Sequence, residues 1–183
     1  MKKLKVGIAG YGVVGKRRRK FIDQNPYLRT CALSDITLDL TKTYETGVSY
    51  FNDYNDLMKL DLDILFVSLP NNIAADACIL GLEAGMHVFC EKPPGRSLKD
   101  IERVIETEKK YPHLKLKYGF NHRYHYSVKE AKRIIESGEL GKIICINGIY
   151  GKSHIIPFDK GWRAEREIAG GGFFWIRVST CWI

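Results

Sequence analysis

Three glycines near the amino terminus have the spacing of a turn that binds the phosphates of a dinucleotide. Residues 10–15 are Gly-Tyr-Gly-Val-Val-Gly, between an apolar strand pattern at Leu4–Ala9 and a helical pattern. Gly10 permits the tight turn, Gly12 leaves room for a pyrophosphate, and Gly15 lets helix and strand pack closely. Exposed N–H groups and the helix dipole favour the pyrophosphate dianion there. The motif predicts a dinucleotide site, with a tight turn that binds nothing as the alternative.

An acidic residue follows the second predicted strand at the distance that ribose recognition requires. Asp35 lies 35 − 15 = 20 residues after Gly15, where a carboxylate can accept hydrogen bonds from the 2′-hydroxyl of a ribose. Its negative charge would repel the 2′-phosphate of NADP. The sequence therefore favours NAD over NADP, and this preference depends on one carboxylate.

A lysine lies where an open parallel sheet binds its ligands. Glu91, Lys92 and Pro93 come directly after a predicted strand at His87–Cys90, at the carboxyl edge of the sheet. A lysine can exchange a proton with a substrate hydroxyl near neutral pH if burial or neighbouring positive charge lowers its pKa from about 10.4. The spacing alone also fits a surface lysine before a turn.

Two more groups of polar residues follow predicted strands at this edge. Pro70 and Asn71 end the strand predicted at 62–69, and Asn-His-Arg-Tyr-His at 121–125 follows the strand predicted at 114–118. Because the carboxyl ends of parallel strands bind ligands together, these residues are candidates for cofactor and substrate contacts.

The polar cluster suits sugar hydroxyls or a phosphate better than a metal. His122 and His125 lie three residues apart, but no third ligand has a suitable spacing, so no metal is predicted. Further along, Trp162 and Arg163 add an aromatic plane and a cation that suit a sugar ring. An ordinary packed loop is the alternative for this pair.

Five consecutive basic residues occupy positions 16–20, Lys-Arg-Arg-Arg-Lys. A nucleic-acid patch is one interpretation. The run lies in the first predicted helix, however, so its side chains point all round the axis, and no base-stacking aromatic cluster accompanies it. We expect a solvated helix face with one or two members near cofactor phosphates, and no nucleic-acid partner.

The composition is that of an ordinary globular protein. The chain has 183 residues, 45% hydrophobic and 27% charged, with a net charge of +8, which excludes disordered and collagen-like classes. Five scattered cysteines without a CxxC favour buried thiols in a reducing compartment over disulfides or zinc. No stretch has the length of a signal peptide or a membrane span, so we expect a cytoplasmic protein.

Alternation of strand and helix patterns predicts the fold. The predicted strands are Leu4–Ala9, 28–33, 48–51, 62–69, His87–Cys90 and 114–118. Helices of 10–15 residues between strands indicate βαβ units, hence an α/β doubly wound parallel sheet of the Rossmann type over 1–120. A helix at 127–137 and a strand at 142–150 would then start an incomplete α+β substrate and oligomerisation domain, 121–183.

Four motifs occur in an order shared with one family of oxidoreductases. They are the glycine turn at 10–15, Glu-Lys-Pro at 91–93, Gly-Phe-Asn-His-Arg-Tyr at 119–124 and three glycines at 170–172. Together, over residues 4–172, they resemble the Gfo/Idh/MocA family, named for glucose–fructose oxidoreductase, inositol dehydrogenase and the rhizopine catabolism protein. The Glu-Lys-Pro context is the most specific of the four.

The resemblance implies NAD(P)-dependent hydride transfer between nicotinamide and a carbinol or carbonyl of a sugar, cyclitol or nucleotide sugar. It also implies that Lys92 is a catalytic acid/base, that the Lys92–Pro93 bond is cis, and that Asn121 and Arg123 line the substrate pocket. Family members are longer, with a second domain whose open sheet mediates homo-oligomers. The candidate cofactor-binding residues are Gly10, Tyr11, Gly12, Val13, Val14, Gly15, Asp35, Pro70, Asn71, Glu91 and Lys92. The candidate substrate-binding residues are Lys92, Asn121, Arg123, Trp162 and Arg163.

The resemblance ends after the three glycines. In the family a helix of the form x-L-x-D-x-G-x-H-x-x-D follows and supplies a catalytic aspartate and histidine, whereas residues 173–183 match nothing. Regrouping the tail's codons by one base forces Leu from Phe174/Trp175 and Asp from Trp175/Ile176, and permits the family's Gly and His in register. We therefore hypothesise a one-base frameshift near Gly172, which makes 173–183 a missense tail.

The sequence thus predicts an NAD-dependent sugar or cyclitol dehydrogenase that is weakly active or inactive as this truncated chain. One rival is a non-catalytic dinucleotide-binding module, and another is a basic nucleic-acid binder. The predicted partner is a small sugar or cyclitol, with no membrane partner and with homo-oligomerisation of the full-length form.

Overall fold

A parallel sheet of six strands organises the part of the chain that the computed structural model describes, which is residues 2–42, 44–147, 161–162 and 165–170. The strands are β1 (Leu4–Ala9), β2 (Leu28–Ser34), β3 (Ser49–Phe51), β4 (Ile64–Val67), β5 (His87–Cys90) and β6 (Leu116–Tyr118). Their order in the sheet is β3-β2-β1-β4-β5-β6, and every neighbouring pair is parallel. This order is that of a doubly wound Rossmann sheet, so the predicted α/β fold class is confirmed.

Helices connect the strands. They are α1 (Val13–Gln24), α2 (Asn71–Glu83), α3 (Leu98–Lys110), α4 (Tyr126–Glu136) and α5 (Arg166–Ala169), with short 3₁₀ helices at Tyr54–Lys59 and Asn121–Tyr124. Ser97 caps α3 as predicted, because its hydroxyl accepts from the N–H of Asp100 at 3.2 Å and the Asp100 carboxylate accepts from the N–H of Ser97 at 3.2 Å. The longest helices, α2 and α3, have 13 residues, and no helix in the described ranges has the length and apolarity to cross a bilayer.

The apolar core lies in two clusters. On β1, Val6 and Ile8 pack with Ile22 of α1 and Leu33 of β2. A larger cluster joins β4 and β5 to α2 and α3, and its members include Leu65, Val67, Ala74, Cys78, Leu82, Val88 and Val104. Side chains alternate along a strand, so burial on both faces explains the nearly continuous apolar runs of β1 and β4.

Two strands are shorter than their apolar patterns predict. β4 and β6 cover only part of the predicted 62–69 and 114–118. Leu62 and Leu114 are nevertheless buried, with 8% and 7% of their surface exposed, because they pack into the core from the loops that precede the strands. An apolar residue indicates burial, whereas a strand also requires ladder hydrogen bonds to a neighbour.

The chain after β6 buries little. No residue of α4 is buried, and Ile144 and Ile146 are 94% and 75% exposed. Residues 142–147 form no strand, so the prediction of a strand at 142–150 is wrong over that part. A strand needs a hydrogen-bonded neighbour, and the six-stranded sheet contains none beside this segment.

Three of the sequence predictions fall on residues that the structure does not describe. They are the remainder of the predicted strand, 148–150, the candidate substrate residue Arg163 and the hypothesised missense tail at 173–183.

Candidate dinucleotide and substrate site

Five loops that carry candidate site residues, including the loop with Pro70 and Asn71 after β4, begin side by side at the carboxyl edge of the sheet. The final residues of the central strands are paired in register, Ser34 with Ala9, Ala9 with Val67, and Val67 with Cys90. Cys90 pairs with Tyr118 in turn. Consequently the glycine turn, Asp35, the Glu-Lys-Pro motif and the polar cluster at 121–125 all follow one continuous line of strand ends, where doubly wound sheets bind ligands.

The glycine turn between β1 and α1 has the geometry that its three glycines predict. Gly10 has a left-handed φ of +89°, and a Cβ there would lie 2.4 Å from the carbonyl oxygen of Ser68. A Cβ on Gly15 would lie 2.0 Å from the carbonyl oxygen of Gly10. Nothing in the described chain lies within 4 Å of the Cβ position of Gly12, so the turn leaves open space against the backbone where a phosphate would bind.

The amino end of α1 faces the same open space. Gly12 is the N-cap residue, and no described side chain caps the first turn. Val13 is 77% exposed, while Tyr11 and Val14 are half-buried. The free N–H groups and the positive end of this 12-residue helix therefore favour an anion beside Gly12.

Asp35 follows β2 and contacts the glycine turn directly. Its Oδ2 accepts a hydrogen bond from the N–H of Tyr11 at 2.7 Å, and its Oδ1 accepts from the N–H and the hydroxyl of Thr37 at 3.0 and 2.6 Å. Burial raises the pKa of Asp35, but the hydrogen bonds from Thr37 and Tyr11 outweigh burial and hold the pKa below its usual value. An ionised carboxylate has about four acceptor positions, so one remains for a ribose hydroxyl.

Asn71 connects the sheet region to residues far along the chain. It is the first residue of α2, after the N-cap Pro70, and it is only 3% exposed. Its Nδ2 donates to the carbonyl oxygen of Ala169 at 2.9 Å, across 98 residues of sequence. Nearby, Nη1 of Arg96 donates to the carbonyl oxygen of Glu167 at 2.8 Å. One N–H of the Asn71 side-chain amide thus holds α5 against the sheet region.

Glu91 and Lys92 directly follow β5 at this edge of the sheet. Both side chains are half-buried, and the Lys92–Pro93 peptide bond is cis. The Glu91 carboxylate accepts from the guanidinium of Arg18 at 2.5 Å, and Nη2 of Arg18 also donates to Oδ1 of Asn121 at 3.3 Å. One arginine, which the sequence did not identify as a site residue, therefore contacts both the residue that precedes Lys92 and the candidate substrate residue Asn121.

The remaining candidate substrate residues are placed differently. Arg123 lies over the ring of Phe120, at 5.1 Å from its centroid, and lines a cavity of about 200 Å³ beside β6. The other residues that line it are Leu116, Lys117, Tyr118, Phe120 and Tyr124. Trp162 is half-buried, whereas Arg163 lies outside the described residues. Asn121 is thus joined to Glu91 through Arg18, whereas Arg123 lies over Phe120 beside β6.

Most of the basic side chains at 16–20 contact other side chains of the same domain. Lys16 lies over the Tyr11 ring at 5.8 Å from its centroid. Arg19 donates to the Tyr11 hydroxyl at 3.2 Å and forms ion pairs with Asp23 and Glu45. With Arg18 on Glu91, three of the five cations contact side chains of this domain.

Sequence spacing contained a signal for Arg18. It lies three residues after Gly15 and four before Ile22, both of which are buried. These three residues share the inward face of α1, and that position separates Arg18 from its exposed neighbours.

The described residues include no group of three His, Cys, Asp or Glu side chains that could hold a metal ion. Cys31, Cys78, Cys90 and Cys145 are free thiols, and Cys181 lies outside the described ranges. A hydrogen bond with Cys78, together with burial, raises the pKa of Cys90 well above its usual value. The Cys90 thiol is thus held neutral beneath Glu91.

Comparison with known proteins gives a family match over the sheet region. The model of the GFO_IDH_MocA oxidoreductases, with an NAD-binding Rossmann fold, matches residues 4–120. The inositol 2-dehydrogenase of Salmonella typhimurium is 31% identical over 160 residues, which is 84% of this chain and 48% of that protein. The levoglucosan dehydrogenase of Pseudarthrobacter phenanthrenivorans is 26% identical over 94% of this chain and 47% of its own length. The chain therefore spans about half the length of these curated relatives.

A solved structure shares the same architecture. The scyllo-inositol dehydrogenase of Lactobacillus casei, determined with NAD(H) and scyllo-inositol bound, superposes with a TM-score of 0.69 at 31% identity. The match covers 76% of this chain and 43% of that one.

Proposed function

Because this chain belongs to the Gfo/Idh/MocA family of oxidoreductases with an NAD-binding Rossmann fold, we propose that it binds a nicotinamide dinucleotide along the carboxyl edge of its sheet. The observation that carries this proposal is the continuous line of strand ends, from Ser34 through Ala9 and Val67 to Cys90. It puts the open glycine turn, an ionised Asp35 and Lys92 on one edge. We also propose that residues 1–120 are the dinucleotide-binding domain and that residues from 121 onward belong to a substrate domain.

The reaction we propose is hydride transfer between nicotinamide and a carbinol or carbonyl carbon of a cyclitol or sugar. A bound nicotinamide supplies the hydride acceptor or donor. In the oxidative direction the substrate carbon loses a hydride and its hydroxyl loses a proton, and Lys92 takes up that proton. Asn121 binds a substrate hydroxyl beside Lys92. A cyclitol is favoured because relatives near 30% identity include inositol dehydrogenases.

We propose NAD rather than NADP as the cofactor. The Asp35 carboxylate is ionised, is fixed against the glycine turn by Tyr11 and retains one acceptor position. It can accept from a ribose 2′-hydroxyl but would repel a 2′-phosphate. A cytoplasmic location, homo-oligomerisation of the full-length form and the absence of nucleic-acid and membrane partners stay predictions of the sequence.

A titration with NADH, followed by protein fluorescence, tests the cofactor proposal on the chain as it exists. We expect saturable NADH binding and at least about tenfold weaker NADPH binding, since a charge repulsion of about 1.4 kcal/mol corresponds to that factor. An Asp35→Ser variant should reduce this discrimination. Equal affinity for both dinucleotides would contradict the role of Asp35, and a chain that binds neither would contradict the proposed function.

A panel of cyclitols and sugars with NAD, monitored at the absorbance band of reduced nicotinamide, tests the reaction. Turnover of a cyclitol that is lost in Lys92→Met would support the proposed role of Lys92. Dinucleotide binding without turnover of any panel member is the result expected both of the second candidate, a non-catalytic dinucleotide-binding module, and of the weakly active chain that the sequence predicts.

A further inference from the structure

Arg18 differs from the exposed basic residues Arg17 and Lys20 in the direction that its side chain takes. It shares the inward face of α1 with the buried residues Gly15 and Ile22, whereas Arg17 and Lys20 are exposed. The guanidinium lies 4.9 Å from the ring centroid of Phe89, on β5. An arginine that leaves solvent in this way requires a partner for its charge.

That partner is Glu91, and the pair connects three elements of the edge. Arg18 contacts Oε1 of Glu91 at 2.5 Å, with 22% and 16% of the two side chains exposed. Its Nη2 also donates to Asn121 at 3.3 Å. One guanidinium therefore ties α1, the end of β5 and the 3₁₀ helix after β6 together, around the residue that precedes Lys92.

The charge of Glu91 would otherwise oppose the ligand that this edge binds. A dinucleotide carries a pyrophosphate dianion, and the repulsion between two like charges is strong where the surroundings are only partly solvated. An unpaired Glu91 would also be free to approach Lys92, the next residue. The ion pair with Arg18 compensates the negative charge and fixes the position of the carboxylate.

We propose that Arg18 is a positioning residue of the dinucleotide site, which acts through Glu91 and does not itself contact the cofactor. This inference rests on the proposed function, because it concerns the affinity for a dinucleotide. Loss of Arg18 weakens dinucleotide binding because the Glu91 carboxylate is then unpaired. Removal of that carboxylate as well therefore restores the affinity.

The test is a fluorescence titration of the full chain with NADH at fixed ionic strength. Arg18→Gln should weaken NADH binding about five- to tenfold, because Glu91 is left unpaired. The double variant Arg18→Gln/Glu91→Gln removes both charges but keeps a neutral acceptor oxygen at position 91 for any cofactor contact, and it should return to within about twofold of the unsubstituted chain. Arg17→Gln is the matched control, because it removes the same charge from the exposed face of the same helix, where solvent screens it, and should change affinity less than about twofold.

The other possible results of these titrations would overturn the inference. Unchanged affinity in Arg18→Gln overturns the inference, and a double variant as weak as the single one overturns it in favour of direct contact between Arg18 and the cofactor. A purely structural role would lower the melting temperature without recovery of affinity in the double variant.

Should both variants fail to fold, Arg18→Lys provides the test because it keeps the positive charge. It should bind NADH within about threefold of the unsubstituted chain, and a larger loss overturns the inference. If the unsubstituted chain does not bind NADH, the proposed function fails, and the inference fails with it.

Discussion

The sheet region and the chain that follows it differ in how they hold their side chains. Within residues 4–120, β1 and β4 have fully buried side chains that pack into two clusters. After β6, α4 has no buried residue, and Ile144 is 94% exposed. The first region supplies its own core, and the described part of the second does not.

This difference in packing separates the groups proposed to bind the dinucleotide from most of those proposed to bind the substrate. The groups that would bind the dinucleotide are backbone atoms and Asp35, held by the sheet register itself. Apart from Lys92, the groups that would bind substrate come from the second region. The first region holds that part of the chain at Asn121 through Arg18 and at Ala169 through Asn71. We therefore expect substitutions in the first region to have large effects and their counterparts in the second to have small ones.

The largest effect should follow from filling the glycine turn. Gly15→Ala puts a Cβ 2.0 Å from the carbonyl oxygen of Gly10, so the turn must move, and we expect a loss of about 4 kcal/mol in the free energy of unfolding, together with loss of NADH binding. Gly12→Ala is the matched control because its Cβ position is open. It should keep its stability in urea denaturation and lose NADH affinity, and equal destabilisation of both variants would contradict this account.

Truncation of an apolar side chain tests the comparison directly. Leu82→Ala, in α2 and fully buried, should lower the free energy of unfolding by about 3 kcal/mol. Ile135→Ala, in α4 and 40% exposed, should cost less than about 0.5 kcal/mol. Urea denaturation followed by circular dichroism measures both. A similar cost at the two positions would show that α4 packs in a core of its own.

Helix capping gives a smaller contrast. Ser97→Ala removes the hydroxyl that accepts from the N–H of Asp100 and should cost about 1 kcal/mol. His125 is the N-cap of α4 without a side-chain capping bond, so His125→Ala should leave the free energy of unfolding unchanged. If the two substitutions lower the free energy of unfolding equally, the hydrogen bonds between Ser97 and Asp100 do not stabilise α3 as their geometry predicts.

The smallest effect concerns acid stability. The pKa of Asp35 is lower in the folded chain than its usual value, so the stability that it contributes is fully present above the unfolded pKa of about 3.9 and is lost as pH falls through the folded pKa. The difference in melting temperature between the unsubstituted chain and Asp35→Asn should be constant from pH 8 to about pH 5 and should shrink below about pH 4. Glu136→Gln, on exposed α4, should follow the unsubstituted chain throughout, and a constant Asp35→Asn difference at all pH values would contradict the prediction.

Much of the sheet region could be predicted because its signals are local. Strand and helix patterns alternate along the chain, and the steric demands of Gly10 and Gly15 act within a few residues of themselves. The predicted strands began too early at Leu62 and Leu114. The apolar pattern correctly indicated that both residues are buried, but a buried loop residue and a buried strand residue give the same pattern. Over residues 142–147 the predicted strand was wrong for a different reason, because strand pairing depends on a neighbour that the apolar pattern does not specify.

The amino-acid sequence by itself determined the doubly wound fold, the glycine turn and the acidic residue that follows β2, because each depends on the conformational preferences of a short segment. The tertiary structure alone decided which side chains meet at the edge. Arg18 reaches Glu91 across 73 residues, and Asn71 reaches Ala169 across 98. Contacts of that length follow from the order and register of the strands, and a basic run or an isolated asparagine carries no local mark of its distant partner.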